Sequence, residues 1–451
     1  MIFAEQAFLP DGWGVNVRLT VTDGLLATVT ANASAEPTDI RVQALLPALA
    51  NLHSHSFQRA MAGMTEHRAA GQDSFWSWRD LMYRFTARLA PDQIEAIAAQ
   101  VFMEMQEAGF ASVGEFHYLH HQPGGSPYAD PAELTQRIYA AASQTGIGLT
   151  HLPVLYTYGG AGKQSLAEGQ KRFGTTLDQF ARLLDAARIG AKNLPPDTQV
   201  GIAPHSLRAT SPAGLAEILP LAAGNPIHIH IAEQPKEVAD ITAWLGAHPV
   251  DWLLDNANPG PDWCAIHATH MTPQETARLA KTGAVAGLCP ITEANLGDGA
   301  FNGPGWLAAK GAFGVGSDSN IRISMVEELR MLEYSQRLRD LARNVMTDAG
   351  SVGETLYKTA AKGGAQALGR PAGQIAPGFL ADLAAIDPTH PSLCALSPGQ
   401  LIDGLIFAAP DCVVTDVWSA GRHMVRGGRH IHRDQITAGY RNAVRTLMAD
   451  L

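Results

Sequence analysis

The chain has 451 residues, 46% of them hydrophobic and 17% charged, with 33 Lys and Arg against 43 Asp and Glu. That much apolar material can build a large core and excludes general disorder, while a formal charge of −10 without any basic run excludes a phosphate-neutralising nucleic-acid surface. No uninterrupted apolar run reaches membrane-spanning length, so no membrane partner is expected.

The first ten residues lack a basic region followed by a long apolar stretch, so no secretory leader is expected and the default location is the cytoplasm. Residues 16–22 and 25–30 alternate on either side of Asp23-Gly24, which predicts a β-hairpin. An apolar run starting at Leu45 then ends abruptly in His53-Ser54-His55. Side chains two apart on a strand face the same way, so both imidazoles are expected to project together from the strand's end, a geometry that suits a metal ion. Two surface histidines in a turn are the competing reading of these residues alone. Further on, strand-like runs at 111–116, 147–156, 199–203, 226–231, 263–267, 283–289 and 312–318 alternate with helical stretches such as 92–108, 131–144, 212–219 and 273–281. With the run into His53 this makes eight strands, which fits a closed parallel (β/α)8 TIM-like barrel. An open doubly wound sheet is the rival, but no Gly-x-Gly-x-x-Gly turn supports it. Alternating runs return at 379–386, 413–419 and 424–428, so a small β-sandwich domain built from both chain ends is expected. The expected division is 1–46 and 368–430 for that domain, 47–367 for the barrel and 431–451 for a terminal helix. Cys264, Cys289, Cys394 and Cys412 form no Cys-x-x-Cys pair and are expected to be buried free thiols of a reducing compartment.

Active sites of such barrels lie at the C-terminal ends of the strands. Strand one ends in His53 and His55, strand five in His230 and strand eight in Asp318, and strand six contains His267. Three neutral imidazoles and a carboxylate make a nitrogen and oxygen donor set for which zinc is the first choice, with iron or manganese as alternatives. His228 shares the face of His230 one layer deeper and is read as a packed barrel histidine. Glu233 has the opposite parity on an ideal strand. It reaches the site only if the strand has broken at Ala232, and is otherwise a solvated surface carboxylate.

Taken in order, His53-x-His55, His230-x-x-Glu233, His267 and Gly316-Ser-Asp318 resemble the amidohydrolase superfamily, whose members are metal-bearing (β/α)8 barrels flanked by a small β domain. The segment 373–383 resembles the point where such chains re-enter that domain. The resemblance implies one divalent ion on His53, His55, His230 and Asp318, because strand four, ending Ile202-Ala-Pro-His205, lacks the lysine that two-metal members carbamylate. It also implies Glu233, His267 and Asp318 as the acid and base groups. The stretches 51–63, 74–83, 115–121 and 292–298 resemble the branch that hydrolyses N-formimino-L-glutamate to N-formyl-L-glutamate and ammonia in histidine degradation. One departure is Asn320, where His is expected. The implied substrate is a small dicarboxylate amidine, with Arg79 and Arg208 for its carboxylates and Gln58, Tyr118 and His205 as further donors, in a homodimer. On the residues alone, Arg79 is equally an ion pair with Asp80 or Asp73, and Tyr118 a packed aromatic. Segments 63–78 and 156–172 are long enough to act as lids. A deaminase of ring amidines such as guanine, cytosine or an adenosine derivative is the rival enzyme, expected to carry stacking aromatics rather than two arginines. A metal-free scaffold is the non-enzymatic rival, expected to lack ligands that this chain retains.

Overall fold

The computed structural model describes residues 1–66 and 75–449; the stretch 67–74, with Asp73 and Ser74 and part of the first expected lid, lies outside the described residues, as do 450–451. The chain opens with β1 (Ile2–Leu9), β2 (Gly12–Thr22), β3 (Leu25–Thr30) and β4 (Ile40–Pro47). Asp23 and Gly24 join β2 to β3 at φ of 51° and 81°. Both are left-handed, as a tight two-residue hairpin turn requires, and Asp and Gly are the residue types that tolerate it.

After Ala48 the chain enters the barrel as β5 (Leu49–Ser54), followed by β6 (Phe110–His117), β7 (Gly148–Leu155), β8 (Gln199–Val200), β9 (Ala203–Pro204), β10 (Ile227–Ile231), β11 (Trp263–His267), β12 (Val285–Leu288) and β13 (Ala312–Val315). These strands run parallel in the order β10-β11-β12-β13-β5-β6-β7-β8, with β9 also on β7. Strand four, expected as one run, is interrupted at Gly201-Ile202. Its N–H groups nevertheless bond alternately to both neighbours, Gly201 to the His151 carbonyl at 3.0 Å and Ile202 to that of Pro226 at 2.9 Å. Bridges from Ile202 to Ile227 and from Ser206 to His230 close the circle. The strands are buried on both faces, which is why they read as nearly continuous apolar runs. Inside the barrel Leu52, Cys264, Ile266 and Val285 pack with Ala367 and Leu368 at the end of the helix Val352–Ala367. His228 donates from Nε2 to the Ala367 carbonyl at 2.8 Å and is the packed histidine its depth predicts.

The expected helices appear as Pro91–Glu107, Glu133–Thr145, Pro212–Ile218 and Pro273–Lys281. The last begins with a capping box, in which Thr272 Oγ1 accepts from the Glu275 N–H and the Glu275 carboxylate accepts from the Thr272 N–H. Strand eight ends at Val315, three residues short of Asp318. All four cysteines are free; Cys264 and Cys289 are buried, but Cys394, in a turn, and Cys412, in the short 3-10 helix Asp411–Val413, are exposed, contrary to expectation.

The chain returns as β14 (Leu383–Ile386), β15 (Val414–Ser419), β16 (Arg422–Arg426) and β17 (Arg429–His430), giving a second sheet ordered β17-β16-β15-β14-β4-β1-β2-β3. Its β3 end folds back onto the segment that leads into β14: Leu25 bridges Leu380, and the Ala381 N–H donates to the Gly24 carbonyl at 2.8 Å. The enclosed core includes Leu19, Leu26, Leu45, Leu383 and Trp418. A terminal helix, Arg433–Ala449, lies against Pro91–Glu107.

Arg370 joins the two sheets. Its fully buried guanidinium stands 3.0 Å from both Asp197, beside β8, and Asp382, beside β14, and Asp197 also takes Arg422 at 2.7 Å. Replacing Arg370 by Met strands Asp382 without a cation, and breaking a buried pair in this way costs about 3–5 kcal/mol. A marked fall in the urea midpoint is expected; an unchanged midpoint would remove Arg370 from the forces joining the sheets.

Candidate active site

At the C-terminal mouth of the barrel, donor atoms of His53, His55, His230 and Asp318 all lie within 4.8 Å of one another. Alternation along β5 puts the His53 and His55 rings 4.6 Å apart, and Nε2 of each faces Asp318 Oδ1, at 3.4 and 3.3 Å. His55 Nδ1 donates to the Phe116 carbonyl and His230 Nδ1 to the His205 carbonyl, both at 3.0 Å. These bonds leave the Nε2 lone pairs of both rings pointing inward. His230 Nε2 and His53 Nε2 are only 3.1 Å apart. Burial lowers the pKa of all three imidazoles, that of His53 to about 3, so they are neutral at physiological pH, as ligation requires. Converging lone pairs beside a carboxylate fit a divalent cation.

Asp318 is delivered by a loop rather than by its strand. The Asp318 N–H donates to the His53 carbonyl and the His55 N–H to the Asp318 carbonyl, both at 2.9 Å, so pairing between β13 and β5 continues past both strands. Asn320, fully buried at φ 55°, clasps this junction. Its Nδ2 donates to Ser54 Oγ at 3.2 Å and to the His55 and Asp318 carbonyls at 3.1 Å, while Oδ1 accepts from Ser317 Oγ at 2.6 Å. Asn tolerates the left-handed backbone better than most residues. The departure from His therefore leaves the loop well anchored.

β10 ends at Ile231, and Ala232 turns left-handed at φ 51°, which is the break Glu233 needs in order to face the site. Glu233 Oε1 stands 3.7 Å from His267 Nε2, and Glu233 Oε2 accepts from Arg208 at 3.2 Å. His267 Nδ1 lies 3.2 Å from Glu293 Oε1, and Nε2 lies 4.0 Å from Asp318 Oδ2. Burial alone would lower the His267 pKa, but Glu233, Glu293 and Asp318 together push it up to about 10. Burial raises the Glu233 carboxyl above its usual range. Glu237 was not singled out from the sequence. Its Oε2 accepts from the Glu233 N–H at 3.0 Å and its Oε1 lies 3.9 Å from Arg208 Nε. Its spacing four residues after Glu233, on the first turn of the helix Pro235–Leu245, was the available signal. Glu293, inside a stretch that carried the resemblance, was missed as the partner of His267.

One cleft collects every other expected residue except the deeper His53: Gln58, Arg79, Tyr118, His205 and Arg208 line it together with His55, His230, Glu233, His267 and Asp318. Gln58 Nε2 donates to the Tyr118 hydroxyl at 2.8 Å, so Tyr118 is more than a packed ring. Arg79 is half-buried over the Tyr83 ring, 5.5 Å from its centroid, rather than on the surface. Tyr83, Tyr156 and Phe173 complete the wall and were not anticipated. Gln170, from the second expected lid segment, donates to the Tyr156 hydroxyl at 2.9 Å.

A parallel barrel with a curled second sheet and this ligand cluster defines a class, and the chain belongs to the amidohydrolase family, whose model matches residues 44–424. Residues 1–43 match the N-terminal domain of formimidoylglutamate deiminase HutF. A formimidoylglutamate deiminase from Pseudomonas aeruginosa is 50% identical to this chain, with 95% of each covered. A 5-methylthioadenosine/S-adenosylhomocysteine deaminase from Natronomonas pharaonis is 28% identical, over 92% of this chain and 87% of its own. Among solved structures, an amidohydrolase from Brucella melitensis superposes with a TM-score of 0.95 at 46% identity, over 99% of both chains. A zinc-bound adenosine deaminase from Xanthomonas campestris, at 21% identity and a TM-score of 0.81 over 99% of this chain and 98% of its own, shares the fold.

Because Asn320 ties Asp318 to the histidine strand, Asn320→Ala is expected to weaken zinc affinity by roughly 10–100-fold, as loss of a ligand's supporting hydrogen bonds does. Chelator competition measures this, and wild-type affinity in the variant would show that the clasp is dispensable.

Proposed function

We propose that the protein hydrolyses N-formimino-L-glutamate to N-formyl-L-glutamate and ammonia, as a step of histidine degradation, with one zinc ion on His53, His55, His230 and Asp318. The observation that carries this is the single cleft in which that donor set, a carboxylate-flanked His267 and two arginines meet. The 50% identity to a formimidoylglutamate deiminase supports it independently. The ion supplies Lewis acidity and lowers the pKa of water from about 15.7 to about 7.

The chain's own groups do the rest. Asp318, whose carboxyl is held below its usual range because His53, His55 and His267 outweigh its burial, accepts a proton from the attacking water. Water adds to the formimino carbon and a tetrahedral adduct forms. Glu233, as the carboxylate, pairs with the cationic amidine, then takes the proton of the adduct's new hydroxyl and hands it to the departing nitrogen, so that the carbonyl forms as ammonia leaves, while the proton on Asp318 passes to solvent or to the released ammonia. The raised pKa of Glu233 suits a group that carries protons. His267, fixed by Glu293, orients the water and stabilises the adduct. Arg208 and Arg79 bind the two carboxylates, helped by Gln58, Tyr118 and His205.

The aromatic wall of Tyr83, Tyr118, Tyr156 and Phe173 is the one observation that favours a ring amidine instead. Ammonia release measured side by side from formiminoglutamate, guanine and 5-methylthioadenosine, with and without added zinc, decides between them. Turnover confined to formiminoglutamate and dependent on zinc is expected.

Two variants test the roles. Asp318→Asn should abolish turnover while the circular dichroism spectrum stays that of the folded chain, and near-normal activity would refute the general base. Arg208→Met should raise KM by roughly ten- to a hundredfold, since a charge-assisted contact is worth about 1.5–3 kcal/mol. It should lower kcat as well, because Glu233 loses its cation. Unchanged kinetics would remove Arg208 from the site.

A further inference from the structure

We propose that His267, Cys289 and Asp318 form a second, weaker metal site, filled by excess zinc or cadmium, and that filling it excludes the substrate's amidine. The inhibitory effect rests on the deimination reading above; the binding of the ion does not.

The donor atoms of these three buried side chains lie within 4.8 Å of one another. Two further observations point to a ligand. His267 Nδ1 faces Glu293, while Nε2, fully buried, has no hydrogen-bond partner among the described residues and stands between Glu233 Oε1 at 3.7 Å and Asp318 Oδ2 at 4.0 Å. Asp318 is also divided between two sides of the mouth: Oδ1 faces His53 and His55, and Oδ2 approaches His267. A carboxylate so placed has one oxygen for each of two ions.

The surroundings favour positive charge. Glu233, Glu293 and Asp318 outweigh the burial of His267 and push its pKa up to about 10, so this flank already holds one positive charge as an imidazolium, and a metal ion binds by displacing that proton together with the one on the Cys289 thiol. The amidinium of the substrate is the cation this flank would take in turnover, so a metal ion competes for the same charge. The donor chemistry decides which ion: thiolate, imidazole and carboxylate together select zinc and its softer congener cadmium over magnesium or calcium. Strand four supplies no lysine to bridge two ions, so here the additional ligand comes from Cys289, directly after β12. Burial, followed by Asp318 and Glu293, raises the thiol's pKa well above its usual value, which ranks this site below the four-ligand set in affinity.

The test uses full-length protein with the exposed Cys394 and Cys412 replaced by Ser and one equivalent of zinc bound. Titration with cadmium should give one further equivalent accompanied by a thiolate-to-metal charge-transfer band. The band should persist in Cys264→Ala and vanish in both Cys289→Ala and Cys289→Ser. Ammonia release from formiminoglutamate at an inhibitor level about ten times its dissociation constant should fall about tenfold by mass action, recover with added substrate, and be little affected by cadmium in the Cys289 variants. No band, or a band that survives both Cys289 substitutions, overturns the site. Inhibition that substrate cannot relieve overturns the competition. A cadmium band in a protein that releases no ammonia from formiminoglutamate under any condition sinks the deimination reading and leaves the second site standing.

Discussion

An ionised carboxylate in a protein interior needs partners on every side, and Asp318, only 6% exposed, imposes that demand on the whole barrel mouth. Two strand-end histidines answer it from β5, and the backbone pairing that continues beyond β13 and β5 fixes where the carboxylate sits. Meeting the demand requires unusual backbone. Ala232, His267, Ala268, Asp318 and Asn320 all carry positive φ, between 44° and 67°. Such residues cost of order 1 kcal/mol or more each and persist only where the surroundings over-determine them. All five lie just where β10, β11 and β13 run out, so the strain is concentrated at the rim from which the site is built.

Electrostatically the mouth has two halves. On one side burial keeps His53, His55, His205 and His230 neutral, with lone pairs available. On the other, Glu233, Glu237, Glu293 and Asp298 gather around His267 and Arg208, and burial first, then the neighbouring carboxylates, raises Glu233 and Asp298. Asp318 stands on the seam. A neutral donor set beside an acid-rich flank suits a reaction in which a cation is bound permanently on one side and a cationic group is held for a turnover on the other.

How much of this was legible in the sequence varies by residue for physical reasons. The His53 and His55 pair could be read because strand alternation is strictly periodic. His228 could be dismissed because the same period set its depth. Glu233 was readable only conditionally, since no pattern announces a left-handed alanine. Asp318 was placed at a strand end, whereas it lies three residues beyond; the pairing with β5 resumes at Asp318 after Gly316 and Ser317, and nothing in the sequence marks that interruption. Cys394 and Cys412 were misjudged because burial of a thiol depends on which connecting segments reach the surface. Glu237 and Glu293 went unassigned because their roles exist only once β10, β11 and the following helices are packed together.

Arg208 shows why recognition and acid chemistry are hard to separate in this chain. Its guanidinium lies 3.2 Å from Glu233 and 3.9 Å from Glu237, and it lines the cleft where a substrate carboxylate would bind. Two carboxylates thus converge on one planar donor, and Glu237 also holds the Glu233 backbone in place. A substitution at Arg208 therefore changes both the lining of the cleft and the charge beside Glu233. Arg79 reaches the same cleft from a separate element, the helix Phe75–Thr86, with its guanidinium over the Tyr83 ring, so the two arginines of the cleft are positioned by different parts of the chain.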